Sequence, residues 1–138
     1  MARVVRACQD LRGQRLFQYR DEAGALRPVE SSDINDYIRA AIGEDFSAKD
    51  FRTWAGTVSA ARALCLQDPP QSEADAKRTV ATCIKAVAGL LGNTPAVCRA
   101  AYVHPTVIEA YSAGKLDLKP TRATRRFEMA VIRMLEEA

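Results

Sequence analysis

Apolar positions recur at helical spacing through most of the chain, and the breaks fall at glycines, prolines and short polar clusters. Arg3 to Cys8 reads as the tail of a helix without an N-terminal cap, broken by Gly13. Leu16 to Tyr19 and Leu26 to Val29, joined by the turn-like Asp21-Glu22-Ala23-Gly24, predict a small β-hairpin. Ser31 or Ser32 is expected to cap a helix with Ile34, Tyr37, Ile38 and Ile42 on one face, closed by Gly43. Ser47 and Asp50 make a loose capping-box variant before a helix over about Ala48 to Leu66, which Gln67-Asp68-Pro69-Pro70 ends.

Ser72 predicts the cap of a long amphipathic helix through Val80, Ile84, Val87 and Leu91, stopped by Gly92. Thr94-Pro95, a cap followed by a first-turn proline, starts a short helix toward Tyr102. His104-Pro105 restarts the chain through Val107 to Tyr111 as far as Gly114, and Thr121 opens a last helix with Phe127, Val131 and Leu135 facing inward. No internal repeat or low-complexity tract is visible. The fold class expected is mainly α: one compact helical domain over residues 1–138, with a small β-hairpin near its start.

Composition adds boundaries rather than a function. The chain has 138 residues, 48% hydrophobic and 27% charged, which suits an ordinary globular domain. It holds no run of about 18 apolar residues, so no membrane-spanning helix is expected. It does not begin with a basic stretch followed by an apolar one, as a secretory signal would. Cys8, Cys65, Cys83 and Cys98 are scattered and there is one histidine, a pattern unsuited to zinc; the thiols are expected reduced and mostly packed. A net charge of +3 is weak evidence for a polyanionic partner. Lys115, Lys119, Arg122, Arg125 and Arg126 crowd one late segment, which composition alone reads as a solvated face.

Three residues can bear chemistry. A guanidinium at Arg52 can give two parallel hydrogen bonds to phosphate and keeps its charge; the plainer alternative lays it over Trp54 at the surface. Tyr102 offers a phenol, weakly nucleophilic at neutral pH with an ordinary pKa near ~10, so attack needs cations nearby. The alternative is a half-buried structural tyrosine, and Tyr19, Tyr37 and Tyr111 compete for the role. Asn93 follows Gly92, where asparagine is common for conformational reasons, yet its amide can donate to a phosphate oxygen. Lys49, about one turn before Arg52, can touch a backbone phosphate or stay solvated. His104, just before Pro105, reads as a cap.

The stretches Ala48-Lys49-Asp50-Phe51-Arg52-Thr53-Trp54-Ala55-Gly56-Thr57 and Leu90-Leu91-Gly92-Asn93-Thr94-Pro95, continuing to Ala101-Tyr102-Val103-His104-Pro105, lie in an informative order. Together they resemble the catalytic core of type IB DNA topoisomerases, in the compact form of poxviruses and bacteria. The resemblance runs from about Arg3 to Gly114 and includes Cys8-Gln9-Asp10-Leu11, Leu16-Phe17-Gln18-Tyr19, Ser32-Asp33-Ile34-Asn35 and Gly43-Glu44-Asp45-Phe46. It implies the helical fold shared with tyrosine recombinases, Tyr102 as nucleophile, Arg52 on the phosphate, and Asn93 where poxviral and eukaryotic relatives carry a histidine. It further implies an isomerase that relaxes supercoils through a 3′-phosphotyrosyl break, with no metal, nucleotide or other cofactor. The partner implied is double-stranded DNA and not a membrane, and the form a monomer at the cytoplasmic nucleoid.

The family also uses an earlier arginine, a hairpin lysine and an N-terminal clamp domain, for which this sequence offers no counterpart. The expectation is the C-terminal part of a catalytic domain, weak or inactive alone. Two rivals remain: a tyrosine recombinase, although Lys49 stands where recombinases usually keep the histidine of His-x-x-Arg, and a non-catalytic helical DNA-binding module.

Overall fold

The computed structural model describes residues 2–9 and 15–138. The break expected at Gly13 and the Asp10-Leu11 end of the first resembling segment lie outside the described residues. The chain divides into two compact units, Met1–Ala48 and Lys49–Ala138.

In the first unit, helix α1 (Ala2–Gln9) precedes strands β1 (Gln18–Arg20) and β2 (Leu26–Pro28) and helix α2 (Ser31–Ile42). The strands pair antiparallel with Tyr19 opposite Arg27, and the Val29 amide donates to the Phe17 carbonyl at 2.9 Å beyond them. Gly24 takes a left-handed φ of +79° in the turn. Asp21 fastens that turn by accepting the Ala25 amide at 2.8 Å and pairing with Arg27 at 3.0 Å. The Arg27 guanidinium, with the Ala25 amide second, holds the Asp21 carboxyl below its ordinary value.

The cap of α2 differs from expectation. Glu30 takes that position, its amide donating to the Asp33 carboxylate at 2.7 Å, so Ser31 and Ser32 fall inside the first turn. None of α2 is buried: Ile34, Tyr37 and Ile42 are exposed. Asn35 instead points its carbonyl at the Ala48 amide, 3.0 Å away.

The second unit holds the core. It is built from α3 (Ala48–Leu64, whose first residue belongs to the other unit), α4 (Glu73–Leu91), α5 (Pro95–Ala101), α6 (Pro105–Ser112) and α7 (Thr124–Glu136). Helix α3 buries Gly56, Thr57, Val58, Ala60, Ala61 and Leu64, mostly small side chains that let neighbouring backbones come close. Against them pack Val80, Ile84 and Val87 of α4, Cys98, Val103, Val107 and Tyr111, and Phe127 and Val131 of α7. Each large apolar side chain so buried contributes about 1.5–3 kcal/mol.

Expected punctuation and observed ends agree through the middle of this unit. Ser72 caps α4 by accepting the Asp75 amide, Gly92 closes it at φ +66°, and Thr94 caps α5 with Pro95 in its first turn. His104 caps α6, Nδ1 accepting the Thr106 amide. Two ends differ. Helix α3 stops at Leu64 instead of Leu66, because the Gln67 amide turns back to the Leu64 carbonyl at 3.0 Å. Helix α7 starts at Thr124, not Thr121: the Thr121 hydroxyl accepts the Ala123 amide and its carbonyl is taken by Arg62, which fixes Thr121 in the preceding loop. Burial pushes the Cys83 and Cys98 thiols up, as packed thiols should be. Among the described residues no single helix is long and apolar enough to cross a membrane.

Candidate active site

Arg52 lies on α3 one turn after Lys49, with Phe51 exposed and Trp54 half-buried against the core. Its guanidinium does not cover Trp54. It sits over the Tyr102 ring, 5.0 Å from the centroid, and donates from Nη2 to the Leu91 carbonyl at 2.7 Å. A guanidinium has five N–H donors, so this bond orients the group and leaves donors for an anion.

The Leu91 carbonyl is one of the last of α4, left without an intrahelical partner where Gly92 turns the chain. Asn93 uses the same acceptor, its Nδ2 donating at 3.2 Å. One carbonyl oxygen thus holds the amide of Asn93 and the guanidinium of Arg52, and the guanidinium in turn covers Tyr102. Arg52, distant in sequence from both, meets Tyr102 directly and Asn93 through the shared carbonyl.

Tyr102 is half-buried and stands just past the end of α5, its amide donating to the Cys98 carbonyl at 3.0 Å. Two further residues of α3 set its position. A β-carbon at Gly56 would collide with the Tyr102 carbonyl oxygen, so glycine alone permits this approach. Thr57, only 2% exposed, accepts the His104 amide on its hydroxyl at 3.1 Å. Thr53 reaches the Ala101 carbonyl at 3.4 Å as well as that of Lys49. The face of α3 that bears Arg52 therefore runs along the backbone of residues 101–104.

Sequence reasoning passed over Gly56, Thr57 and the Leu91 carbonyl. A glycine inside a helical pattern does signal close approach, although not to what; a main-chain acceptor leaves no trace in side-chain pattern. Lys49 is exposed and makes none of the contacts that join the other three. Tyr111, a competing tyrosine, is 3% exposed and spends its hydroxyl on the Asp68 carbonyl at 2.9 Å. Among the described residues no group of three or more His, Cys, Asp and Glu is placed to hold a metal.

The family profile described as "Eukaryotic DNA topoisomerase I, catalytic core" matches residues 1–127. The chain belongs to this family. It is similar to the DNA topoisomerase 1B of Acanthamoeba polyphaga mimivirus, 32% identical over 114 residues, an alignment covering 78% of this chain. The alignment spans about a third (34%) of the length of that viral protein. The helical architecture with its two-stranded sheet is that expected of a topoisomerase I core fragment.

Proposed function

We propose that this chain supplies the nucleophile and two phosphate-stabilising groups of a type IB topoisomerase that relaxes supercoiled double-stranded DNA. The observation that carries the reading is the convergence of Arg52 and Asn93 on the Leu91 carbonyl, with the Arg52 guanidinium 5.0 Å from the Tyr102 ring centre. Family membership supports this reading of the arrangement's chemistry.

Tyr102 Oη attacks a backbone phosphorus in this reading. The Oη–P bond forms, the P–O5′ bond breaks, the phenolic proton passes to water, and the 5′-oxygen takes up a proton to leave as a hydroxyl. The resemblance assigns that last proton to the family's hairpin lysine. The broken strand swivels about its partner, and the 5′-hydroxyl then attacks the phosphotyrosine to restore the original bond. One phosphodiester is exchanged for another, so the cycle needs no energy source. Arg52 places a permanent positive charge beside both the ring and the incoming phosphate, and Asn93 adds a neutral donor; such preorganised groups act where charge develops in the transition state. Lys49, exposed one turn before Arg52, contacts a neighbouring phosphate and positions the strand. The acting unit is a monomer.

The test is covalent capture. Incubation with nicked or suicide-substrate DNA followed by denaturant is expected to leave an adduct that Tyr102→Phe abolishes while non-covalent binding persists. An adduct that survives Tyr102→Phe, or is lost in Tyr111→Phe alone, rejects the assignment.

A further inference from the structure

Outside the site just described, one surface stands apart by charge. Between Asp117 and Glu128 the chain carries four cations, Lys119, Arg122, Arg125 and Arg126, against those two carboxylates, a net of +2 within a chain whose whole excess is +3. All four are exposed. Among the described residues none of them meets a carboxylate within 4.0 Å, while Arg27, Arg39, Lys77 and Arg78 are each paired.

The segment that bears them is fixed to the core. Leu118 is 7% exposed and Phe127 is fully buried, one on each side of the cations. Arg62 of α3 lies over the Phe127 ring at 4.2 Å and donates to the Thr121 carbonyl, while the Thr121 hydroxyl holds the Ala123 amide at 3.2 Å. Lys119 and Arg126 line one groove of about 450 Å³. Arg122 lines the adjoining one, and Pro120 and Thr121 form the wall between them. Cations held in this way lose little backbone freedom on binding. The start of α7 falls within the same stretch, and the positive end of its dipole adds to the field.

We propose that Lys119, Arg122, Arg125 and Arg126 form a second contact for the phosphate backbone of the duplex, separate from the reacting phosphate. The inference rests on the reading of Tyr102 and Arg52 as the catalytic groups. Arginine forks match phosphate oxygens, and unpaired cations release counterions from DNA at no cost in broken ion pairs. The distance from Arg52 is within the reach of a duplex. Arg62, which anchors the segment, lies ten residues beyond Arg52 on one continuous helix, about 15 Å along its axis. That is the length of four or five base-pair steps at ~3.4 Å of duplex axis per phosphate of one strand. A duplex lying along this axis would cover that length within half a turn.

The experiment is fluorescence anisotropy on a duplex of about 20 base pairs, with salt varied from ~50 to ~200 mM. The combined variant Lys119→Gln, Arg122→Gln, Arg125→Gln, Arg126→Gln is expected to bind at least about tenfold more weakly at the low-salt end. Its log–log salt slope should be shallower by about 2–4. The control Lys77→Gln, Arg78→Gln, Lys85→Gln, which neutralises exposed cations of α4, should leave affinity and slope close to the parent, and circular dichroism should show all three chains folded. An unchanged slope in the first variant overturns the proposal, as does an equal loss in the control or no duplex binding by the parent. Cluster-dependent capture by anionic phospholipid vesicles with duplex affinity unchanged overturns it in favour of a membrane. Covalent capture separates this surface from the catalytic reading. A Tyr102-dependent adduct with cluster-independent binding defeats only the surface; cluster-dependent binding with no Tyr102-dependent adduct defeats only the catalytic assignment.

Discussion

At Gly56 the backbone of α3 lies against the carbonyl of Tyr102, and one turn of that helix away Arg52 covers the Tyr102 ring. The two contacts clamp the residue from its backbone and its side chain. Gly56→Ala adds one methyl group where there is no space. Overpacking of this kind costs about 1–3 kcal/mol, and the movement that relieves it shifts Tyr102 from Arg52. A lowered melting temperature together with a slower single-turnover adduct rate, at saturating DNA, is the expected result. Thr57→Val keeps shape and removes the acceptor for the His104 amide, costing about 1–3 kcal/mol, and Thr57→Ser should restore it. For Arg52→Ala, cleavage and religation should fall together, by about 10²–10³, since the phosphate is charged in both directions. If affinity alone fell, with cleavage at saturation unchanged, Arg52 would be only a positioning contact. From the sequence, residues 52, 93 and 102 were legible only as candidates for phosphate and nucleophile chemistry, each beside a plainer structural role. The oxygen that joins two of them belongs to a main-chain carbonyl, and side-chain pattern cannot disclose it.

Among the elements, α4 has the most strongly specified ends, and it matters to the site because its last carbonyls and Gly92 place Asn93. Ser72 caps its start at 3.2 Å from the Asp75 amide, and Asp75 accepts the Gln71 amide at 3.2 Å. Ser72→Ala should cost about 1 kcal/mol, read as a drop in thermal midpoint. The Gln71 amide and then the Arg78 guanidinium hold the Asp75 carboxyl below its ordinary value of 3.8. A carboxyl depressed in the folded state contributes stability that is complete above its unfolded value and is lost as pH falls through the folded one. Thermal midpoints measured below about pH 4 should therefore decline less steeply in Asp75→Asn than in the parent, and the two curves should run parallel near neutrality. Helix ends marked by serine, threonine, glycine and proline were readable in α4, α5 and α6 because the capping chemistry is local. Glu30 and Thr124 were not, since a competing partner (Asp33 in one case, Arg62 holding Thr121 in the other) moved the boundary.

At the scale of the molecule, relaxation is a cooperative property of groups that act as a unit. If the family's hairpin lysine protonates the 5′-oxygen, these 138 residues alone should relax plasmid DNA about 10²–10⁴-fold more slowly than a longer chain that carries it, since general-acid assistance has that worth. Plasmid relaxation at low salt without magnesium checks this, and equal rates would show the lysine to be dispensable. Apolar periodicity with local caps determined a mainly helical chain with one hairpin, because both signals act over a few residues. The order of its segments determined the family. Tertiary structure alone decided that Tyr111 is spent on the core, its hydroxyl on the Asp68 carbonyl, whereas Tyr102 remains half-buried under Arg52. It also decided that no residue of α2 is buried and that the late cations meet no carboxylate among the described residues, on a fixed base. Burial and charge pairing depend on what approaches from distant parts of the chain, and local sequence pattern carries no record of that approach.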